Sequence, residues 1–153
     1  MIHPSIVGME LGEVRFPIER SKLAELARAY GDDDPAWHDA AAAATAGFTT
    51  LPLPPTATIL GDHWRPGGIL ALAEQIGADP ARLLHGEASW ELLAPIEPGE
   101  QLTARQRVES VKTREGKRGG TMTIVTLLTE FTNDNGTPVV RRRDALIESG
   151  VPS

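Results

Sequence analysis

The second half of the chain alternates between strand-like runs and short turns, and this pattern limits the fold more than any other feature of the sequence. The runs are rich in β-branched and apolar residues, and the turns between them are polar or contain glycine. Strands that follow one another through short turns pair in antiparallel fashion, so the pattern predicts a four-stranded meander. The predicted strands cover residues 86–96, 101–113, 121–133 and 137–150, and the turns cover 97–100, 114–120 and 134–136.

The first half of the chain has a helical pattern with frequent breaks. Residues 22–30 place apolar side chains at helical spacing, with Ser21 as the candidate N-cap and Gly31 as the residue that ends the helix. Helices followed by a sheet predict an α+β fold, with the helical segments packed on one face of the sheet. Further predictions are an edge strand at 9–18 and helices at 40–44, 56–64 and 69–76, with Asp39 and Thr56 as caps. Asp79 and Pro80 predict the cap and first residue of a short turn of helix that ends near Leu84.

Composition limits the class of protein. The chain has 153 residues, no cysteine and a formal net charge of -6, from 15 Lys+Arg against 21 Asp+Glu. This length fits one domain over residues 1–153. The absence of cysteine excludes a disulfide scaffold, a thiol nucleophile and thiolate metal sites. The acidic balance argues against nucleic-acid binding, which requires a basic face.

Nothing in the sequence predicts a membrane segment or a leader. The first residues lack a basic stretch followed by an apolar one. The longest uncharged run covers residues 40–61, and prolines at 52, 54 and 55 interrupt it, which is not the pattern of a membrane helix. We therefore expect a cytoplasmic protein that contacts neither membrane nor nucleic acid.

The segment from Gly31 to Asp39, GDDDPAWHD, contains the densest group of chemically active side chains. It holds four carboxylates and one of the four histidines of the chain. A carboxylate near a histidine could perform general acid–base catalysis on water, and the same residue types could bind a divalent cation. The alternative interpretation is a loop that caps the neighbouring helices, with its acids solvated.

This segment resembles the motif Gly-Asp-x-Asn-Pro-x-His-x-Asp of MaoC-like (R)-specific enoyl-CoA hydratases, with Asp34 where asparagine is usual. In that family the Asp and the His act together on a water that is added to, or removed from, the 2,3 bond of an acyl thioester. Trp37 occupies the position of the catalytic histidine, and His38 follows it. This departure is typical of FAS1-like (MaoC N-terminal) dehydratase domains. Those domains resemble the non-catalytic half of double hot-dog hydratases and the substrate-stabilising subunits of mycobacterial-type hydroxyacyl-ACP dehydratases.

Four further segments are similar to the same family in their order and spacing. Together with the first motif they extend the resemblance over nearly the whole chain. The resemblance implies an α+β hot-dog fold, in which an antiparallel sheet wraps around a central helix. The segments are LPLPPT (51–56), LLHGEASWE (83–91), APIEPGEQLT (94–103) and KRGGTMTIVTLLTEFTNDNG (117–136).

The residue at position 37 determines which function the resemblance implies. An indole N–H is only a donor, so Trp37 cannot take a proton from water. The implied function is the substrate-binding, non-catalytic subunit of an (R)-specific acyl-thioester hydratase or dehydratase, with the Asp/His pair supplied by a second MaoC-like chain. Three alternatives stay open: a self-sufficient hydratase that uses Asp32 and His38 as catalytic residues, an acyl-thioester-binding homodimer without activity, and a hot-dog thioesterase. The expected ligand is an acyl-CoA or acyl-ACP thioester, without a cofactor or a metal.

Several residues are candidates for binding that thioester. The indole of Trp37 could line an acyl channel that runs along the central helix. The basic hairpin tip could contact the phosphates of coenzyme A or of a phosphopantetheine arm, although a solvated tip is an open alternative. His85 could equally cap a helix or form a dimer contact. The candidates are Trp37, Pro55, Thr56, Trp64, His85, Lys117 and Arg118.

Overall fold

A computed structural model describes residues 2–115 and 120–150. Its main element is a five-stranded antiparallel sheet with the strand order β1-β3-β4-β5-β2. Buried and less buried residues alternate along the last strand, as expected for a sheet with one covered face. The strands are β1 (Glu10–Pro17), β2 (Leu83–Leu92), β3 (Gln101–Glu115), β4 (Thr121–Asn133) and β5 (Pro138–Glu148).

Strands β3, β4 and β5 form the meander that the sequence predicts. The turn between β4 and β5 is held by Asn133, whose side-chain oxygen accepts hydrogen bonds from the backbone N–H groups of Asn135 and Thr137. Gly136 in this turn has a φ of 75°, a backbone conformation that glycine adopts without strain. The turn that the Asp-Asn-Gly sequence at 134–136 predicts is therefore confirmed.

The predicted pairing of the first of the four strands is wrong, because β2 pairs with β5 and not with β3. The free edge of β3 is taken by β1, so β2 must join the opposite edge of the sheet. The connection from β2 to β3 runs to the end of β1. There the N–H of Gly99 donates to the carbonyl of Ile18 (2.7 Å), and the N–H of Ile18 donates to that of Glu100 (2.8 Å).

The helices of the first half lie close to their predicted positions. The first helix starts one residue before Ser21, with Glu19 at its N-cap, so Ser21 is not the cap. It ends at Gly31, as predicted, where φ is 71°. Asp39 caps the second helix by accepting from the N–H groups of Ala41 and Ala42. Within the described residues, no helix is long and apolar enough to cross a membrane. The helices are α1 (Arg20–Tyr30), α2 (Ala40–Thr45) and α3 (Gly68–Gln75).

The central helical region consists of two parts, as the break at Pro66 and Gly67 predicts. The first part, Ala57–Trp64, is a 3₁₀ helix, and the second is α3. Gly67 has a φ of 73°, which turns the chain between the two parts. The predicted short turn of helix after Asp79 is confirmed, and it ends two residues earlier than expected. Asp79 caps a 3₁₀ turn over Pro80–Arg82 by accepting from the N–H of Ala81, and the next residue begins β2.

Both edge strands of the sheet contact the 3₁₀ helix, so the sheet curves around it. On one side Phe16 of β1 packs against Gly61, where an added Cβ would lie 2.7 Å from the Phe16 ring. On the other side the indole N–H of Trp90, on β2, donates to the hydroxyl of Thr58 (3.1 Å). Since β1 and β2 lie at opposite ends of the strand order, these contacts require a strongly curved sheet.

The apolar core lies between the sheet and the central helical region, in two clusters. One cluster packs α3 on strands β3, β4 and β5, and the other joins β1 and the start of α1 to the opposite end of the same strands. The first includes Leu72, Ala73, Ile76, Val108, Val125, Leu127 and Leu146, and the second includes Phe16, Ile18, Leu23, Leu102, Phe131, Val139 and Val140.

Glu148 joins the N-terminal segment and the turn before β2 to the end of β5. Its side chain is 1% exposed, and it accepts backbone hydrogen bonds from Ile2 and Asp79, both at 2.9 Å. Burial raises the pKa of the Glu148 carboxyl, but the hydrogen bonds from Asp79 and Ile2 outweigh burial, so the pKa lies below its ordinary value. The charged form is therefore the one that stabilises the fold.

We expect Glu148→Gln to lower the free energy of unfolding at pH 7 by about 1–3 kcal/mol, because the amide loses charge-assisted hydrogen bonds. A lowered folded-state pKa contributes stability above the ordinary value of 4.5 that is lost as the pH falls through the folded-state pKa. The difference between the variant and the native chain should therefore shrink in acid. Urea unfolding at pH 7 and near pH 3.5 measures both effects.

The matched control is Glu130→Gln, since the Glu130 side chain is 47% exposed and pairs with Arg141 on the surface. It should change the free energy of unfolding by less than about 1 kcal/mol. Equal losses for the two variants, or a loss for Glu148→Gln that persists unchanged in acid, would contradict the role given to Glu148.

Candidate functional site

The loop that follows α1 uses its carboxylates to hold its own backbone. Asp32 accepts from the N–H of Asp34 (3.1 Å), and Asp34 accepts from the N–H of Ala36 (2.8 Å). Asp39 caps α2, and the hydrogen bonds from Ala42 and Ala41 lower the pKa of its carboxyl. The geometry therefore matches the capping interpretation of this loop, and its acids remain exposed.

The loop does not join Asp32 to His38. Both side chains are exposed, and in residues 2–115 and 120–150 no hydrogen bond links them. His38 ends the 3₁₀ turn Pro35–Trp37, and its backbone N–H donates to the carbonyl of Pro35. Trp37 is half-buried at the position where the motif has its histidine. As folded here, the loop has no oriented base, and the catalytic role of Asp32 and His38 stays a prediction.

The residues predicted along the acyl channel lie in different places. Pro55 lines a groove of 280 Å³ between residues 48–58 and the segment after β2. Trp64 lines a groove of 540 Å³ on the side of α1. Thr56, in turn, lies near Tyr30, with 3.2 Å between the two hydroxyl oxygens. The structure therefore does not bring these three residues to one cavity.

A cavity of 290 Å³ lies between the central helical region and the sheet, and we call it the α3 cavity. Its walls are mainly apolar, with a group of charged and polar side chains from the 3₁₀ helix and from strands β2, β3 and β5. Among the predicted site residues that the structure describes, His85 alone lines it. The apolar members are Ile59, Ile69, Leu72, Trp90, Leu127 and Leu146, and the polar members are Asp62, Arg65, His85, Gln106, Arg142 and Asp144.

Arg142 is the centre of the polar group, with a side chain that is 4% exposed. Its two terminal nitrogens donate to the two oxygens of Asp62 (2.8 and 3.1 Å), and its Nε donates to Asp144 (2.8 Å). The guanidinium also lies 5.8 Å from the ring centre of Phe131. Burial lowers the pKa of Arg142, but Asp62 and Asp144 outweigh that effect and raise it. Arg142 therefore stays charged and holds both carboxylates in place.

His85 is positioned by the second of these carboxylates. Its Nε2 lies 3.2 Å from Oδ1 of Asp144, whose other oxygen binds Arg142. Because an ionised carboxylate only accepts, this contact requires a proton on Nε2. In the neutral tautomer that carries this proton, Nδ1 is an acceptor. The His85 side chain is 55% exposed.

A second polar group lies at another part of the wall. Arg65 donates to the carbonyl of Leu11 (3.2 Å) and to the side-chain oxygen of Gln106 (2.5 Å), and Gln106 donates to Thr129 (2.9 Å). Burial lowers the pKa of Arg65, and the nearby charge of Arg142 adds to that effect, while Asp62 opposes it. In the described part of the chain, no cluster of three or more His, Asp or Glu side chains is suited to hold a metal ion.

The comparison with known families identifies the chain. The family model of the FAS1-like dehydratase domain region matches residues 5–142. The chain belongs to this family. A UPF0336 protein of Streptomyces griseus is 33% identical over 101 residues, which are 66% of this chain and 67% of the relative.

Solved structures support this membership of the FAS1-like dehydratase family. The C-terminally truncated HadBC complex, a 3R-hydroxyacyl-ACP dehydratase from Mycobacterium tuberculosis, has a TM-score of 0.68 and 26% identity, covering 93% of this chain and 96% of that chain. A MaoC-like dehydratase from Rhodospirillum rubrum is similar in fold, with a TM-score of 0.65 and 19% identity over 96% of this chain and 94% of that chain. The predicted MaoC-like hot-dog fold is confirmed.

Within this family fold, sequence reasoning missed most of the α3 cavity. The three arginines at 141–143 indicate by strand alternation that Arg142 points away from its neighbours. The missed signal was Asp144, which lies two residues further on and therefore on the same face as Arg142. The predicted phosphate contacts Lys117 and Arg118 lie outside the described residues.

Proposed function

We propose that this chain is the substrate-binding subunit of an (R)-specific acyl-thioester hydratase or dehydratase, and that a second MaoC-like chain supplies the catalytic Asp/His pair. The observation that carries the proposal is Trp37, which is half-buried where the motif of the catalytic relatives has its base. An indole cannot accept a proton from water. The exposed His38 has no hydrogen bond to Asp32 in the described residues, which supports a base supplied by another chain.

The second chain has a suitable surface on β2 and α3. β2 is at the edge of the sheet, and an edge strand with unpaired backbone groups is a natural site for pairing with another chain. Apolar side chains beside this edge are exposed, including Leu70 (64%) and Leu84 (62%). An exposed apolar patch of this kind favours a protein partner. The similarity to a HadBC complex supports a partner of the same fold.

The reaction assigns distinct tasks to the two chains. In dehydration, a base of the partner removes a proton from C2 of a 3-hydroxyacyl thioester, and the C3 hydroxyl leaves as water after it receives a proton. The thioester carbonyl makes C2 acidic, so general acid–base groups are sufficient and no cofactor takes part. This chain would bind the acyl group and exclude water from it, which fixes the distance between substrate and base.

Hydration of crotonyl-CoA tests the proposal. We expect this chain alone to be inactive, and a mixture with a MaoC-like chain from the same organism that has an intact Gly-Asp-x-Asn-Pro-x-His loop to be at least about 100-fold faster than this chain. The loss of absorbance of the enoyl thioester measures the rate. Full activity of this chain alone that His38→Ala abolishes would contradict the partner requirement.

Two other results of the same assay would favour other functions. Acyl-thioester binding without activity in any mixture would favour a non-catalytic homodimer. Release of free coenzyme A would favour a thioesterase. A self-sufficient hydratase that uses Asp32 and His38 is the second candidate, because both side chains are exposed and lie in the same loop.

A further inference from the structure

The α3 cavity combines a small, mainly apolar volume with the polar group around Arg142, in which His85 contacts Asp144. Its volume of 290 Å³ is at the lower end of the range for small-molecule sites, roughly 300–1000 Å³, and fits a short acyl group. Leu72, Leu127 and Leu146 supply apolar walls for such a group. His85 lines the cavity, and Oδ1 of Asp144 lies 3.2 Å from Nε2 of its ring.

A bound acyl group would take water away from the His85 ring. A polar atom that loses water without gaining another hydrogen bond weakens the binding that displaced the water. An unmodified acyl chain would have this effect, because none of its carbons can form a hydrogen bond with Nδ1. The best ligand for this cavity therefore carries a polar group that meets His85.

The hydrogen bond of Nε2 to Asp144 determines which polar group fits. It leaves Nδ1 as an acceptor, so the ligand must be a donor. A hydroxyl group can donate, whereas a ketone, a carbon–carbon double bond or a saturated carbon cannot. Arg142 donates to the other oxygen of Asp144 and so holds this carboxylate beside Nε2 of His85.

We propose that the α3 cavity is a binding site for hydroxylated acyl groups, in which the ligand hydroxyl donates a hydrogen bond to Nδ1 of His85. The inference rests on the proposed function, from which it takes two points: the ligand is an acyl thioester, and its hydroxyl group is on C3. It adds that this chain, without any catalytic residue, distinguishes 3-hydroxyacyl thioesters from their enoyl, oxo and saturated counterparts. His85 is thus a specificity-determining residue, and Asp144 is its positioning residue.

Calorimetric binding of four coenzyme A thioesters of equal chain length tests the proposal: 3-hydroxybutyryl, crotonyl, acetoacetyl and butyryl. The titrations use the full chain alone, and its complex with a partner whose base is replaced by alanine to prevent turnover. We expect 3-hydroxybutyryl-CoA to bind at least about 10-fold more tightly than the other three, which corresponds to about 1.4 kcal/mol. His85→Ala should remove this preference, and butyryl-CoA should bind more tightly than to the native chain, because it no longer covers an unpaired ring nitrogen.

Two controls separate recognition from folding. His63→Ala removes a histidine that lines a different groove, on the side of α1, and should keep the preference intact. His85→Asn keeps an acceptor oxygen close to the position of Nδ1 and should recover part of the preference. Melting curves of each variant establish that it is folded.

The possible failures are distinguishable. Equal affinities for the four thioesters in both preparations, or a preference that survives in His85→Ala, would overturn the inference while the proposed function stands. Absence of binding for all four thioesters in both preparations would overturn the proposed function together with this inference.

Discussion

Replacing Arg142 with methionine is expected to lower the free energy of unfolding by about 3–5 kcal/mol, a large part of the stability of a domain of this size. Methionine keeps most of the length of the side chain but removes the charge that holds Asp62 and Asp144. Asp144, with a side chain that is 12% exposed, would then be a buried carboxylate without its cation. A buried charge without a partner is far more costly than the same charge on the surface.

The neighbouring Arg141 provides the matched control. It lies on the same strand, its side chain is 39% exposed, and it pairs with Glu91 and Glu130. Arg141→Met should therefore cost less than about 1 kcal/mol. Urea unfolding followed by circular dichroism compares the two variants. Equal losses would show that burial of Arg142 and its carboxylates does not stabilise the fold in the way described.

The Arg142→Met variant should also affect ligand binding in the α3 cavity, because Arg142 holds the carboxylate that orients His85. A folded Arg142→Met chain, if stabilised by low temperature, should also lose discrimination between hydroxylated and saturated acyl groups. The stability of the fold and the specificity of the α3 cavity thus depend on one network.

Local sequence signals were sufficient for most of the elements. Apolar spacing and Gly31 defined α1, Asp39 defined α2, and the Asp-Asn-Gly turn defined the β4–β5 hairpin. Each of these signals acts within a few residues. The pairing of β2 was wrong because strand patterns identify strands but not their neighbours, and the competing strand, β1, lies about 80 residues before β3 in the chain.

The distinction between the 3₁₀ helix Ala57–Trp64 and an α-helix also could not be predicted. Over eight residues, the apolar periods of the two helices are too similar to separate. What decides the conformation is packing from both edges of the sheet, with Phe16 against Gly61 and Trp90 against Thr58. Both contacts are long-range and leave no local pattern.

The candidate site shows the same limit. His85 was a candidate from its motif, but its partner Asp144 is 59 residues away in the chain. Asp62 and Arg142 are 80 residues apart, so their ion pair exists only once β5 and the 3₁₀ helix have packed together. The tryptophan at position 37, by contrast, could be interpreted from the sequence alone, because it replaces the catalytic histidine of the motif at a single position.

Replacing one histidine in each chain in turn is expected to have very different effects on kcat of the active mixture. General acid–base groups contribute about 10²–10⁴-fold to such rates. In the active mixture, alanine in place of the histidine of the partner's Gly-Asp-x-Asn-Pro-x-His loop should therefore lower kcat by at least about 100-fold. His38→Ala in this chain removes an exposed side chain and should change kcat by less than about 2-fold.

Binding has to be separated from chemistry in this comparison. The size of the purified assembly and its affinity for 3-hydroxybutyryl-CoA should be the same for both variants, since neither changes the α3 cavity or the β2 edge. A loss of assembly would explain a lower rate without any role of the base, and single-turnover rates of the isolated complexes remove that ambiguity.

The most direct measurement is kcat of the purified two-chain complex with each histidine replaced in turn. We expect kcat to fall at least about 100-fold when the partner's histidine is replaced, and to change by less than about 2-fold in His38→Ala. Loss of activity with His38→Ala, together with full activity after replacement of the partner's histidine, would place the base in this chain and contradict the account.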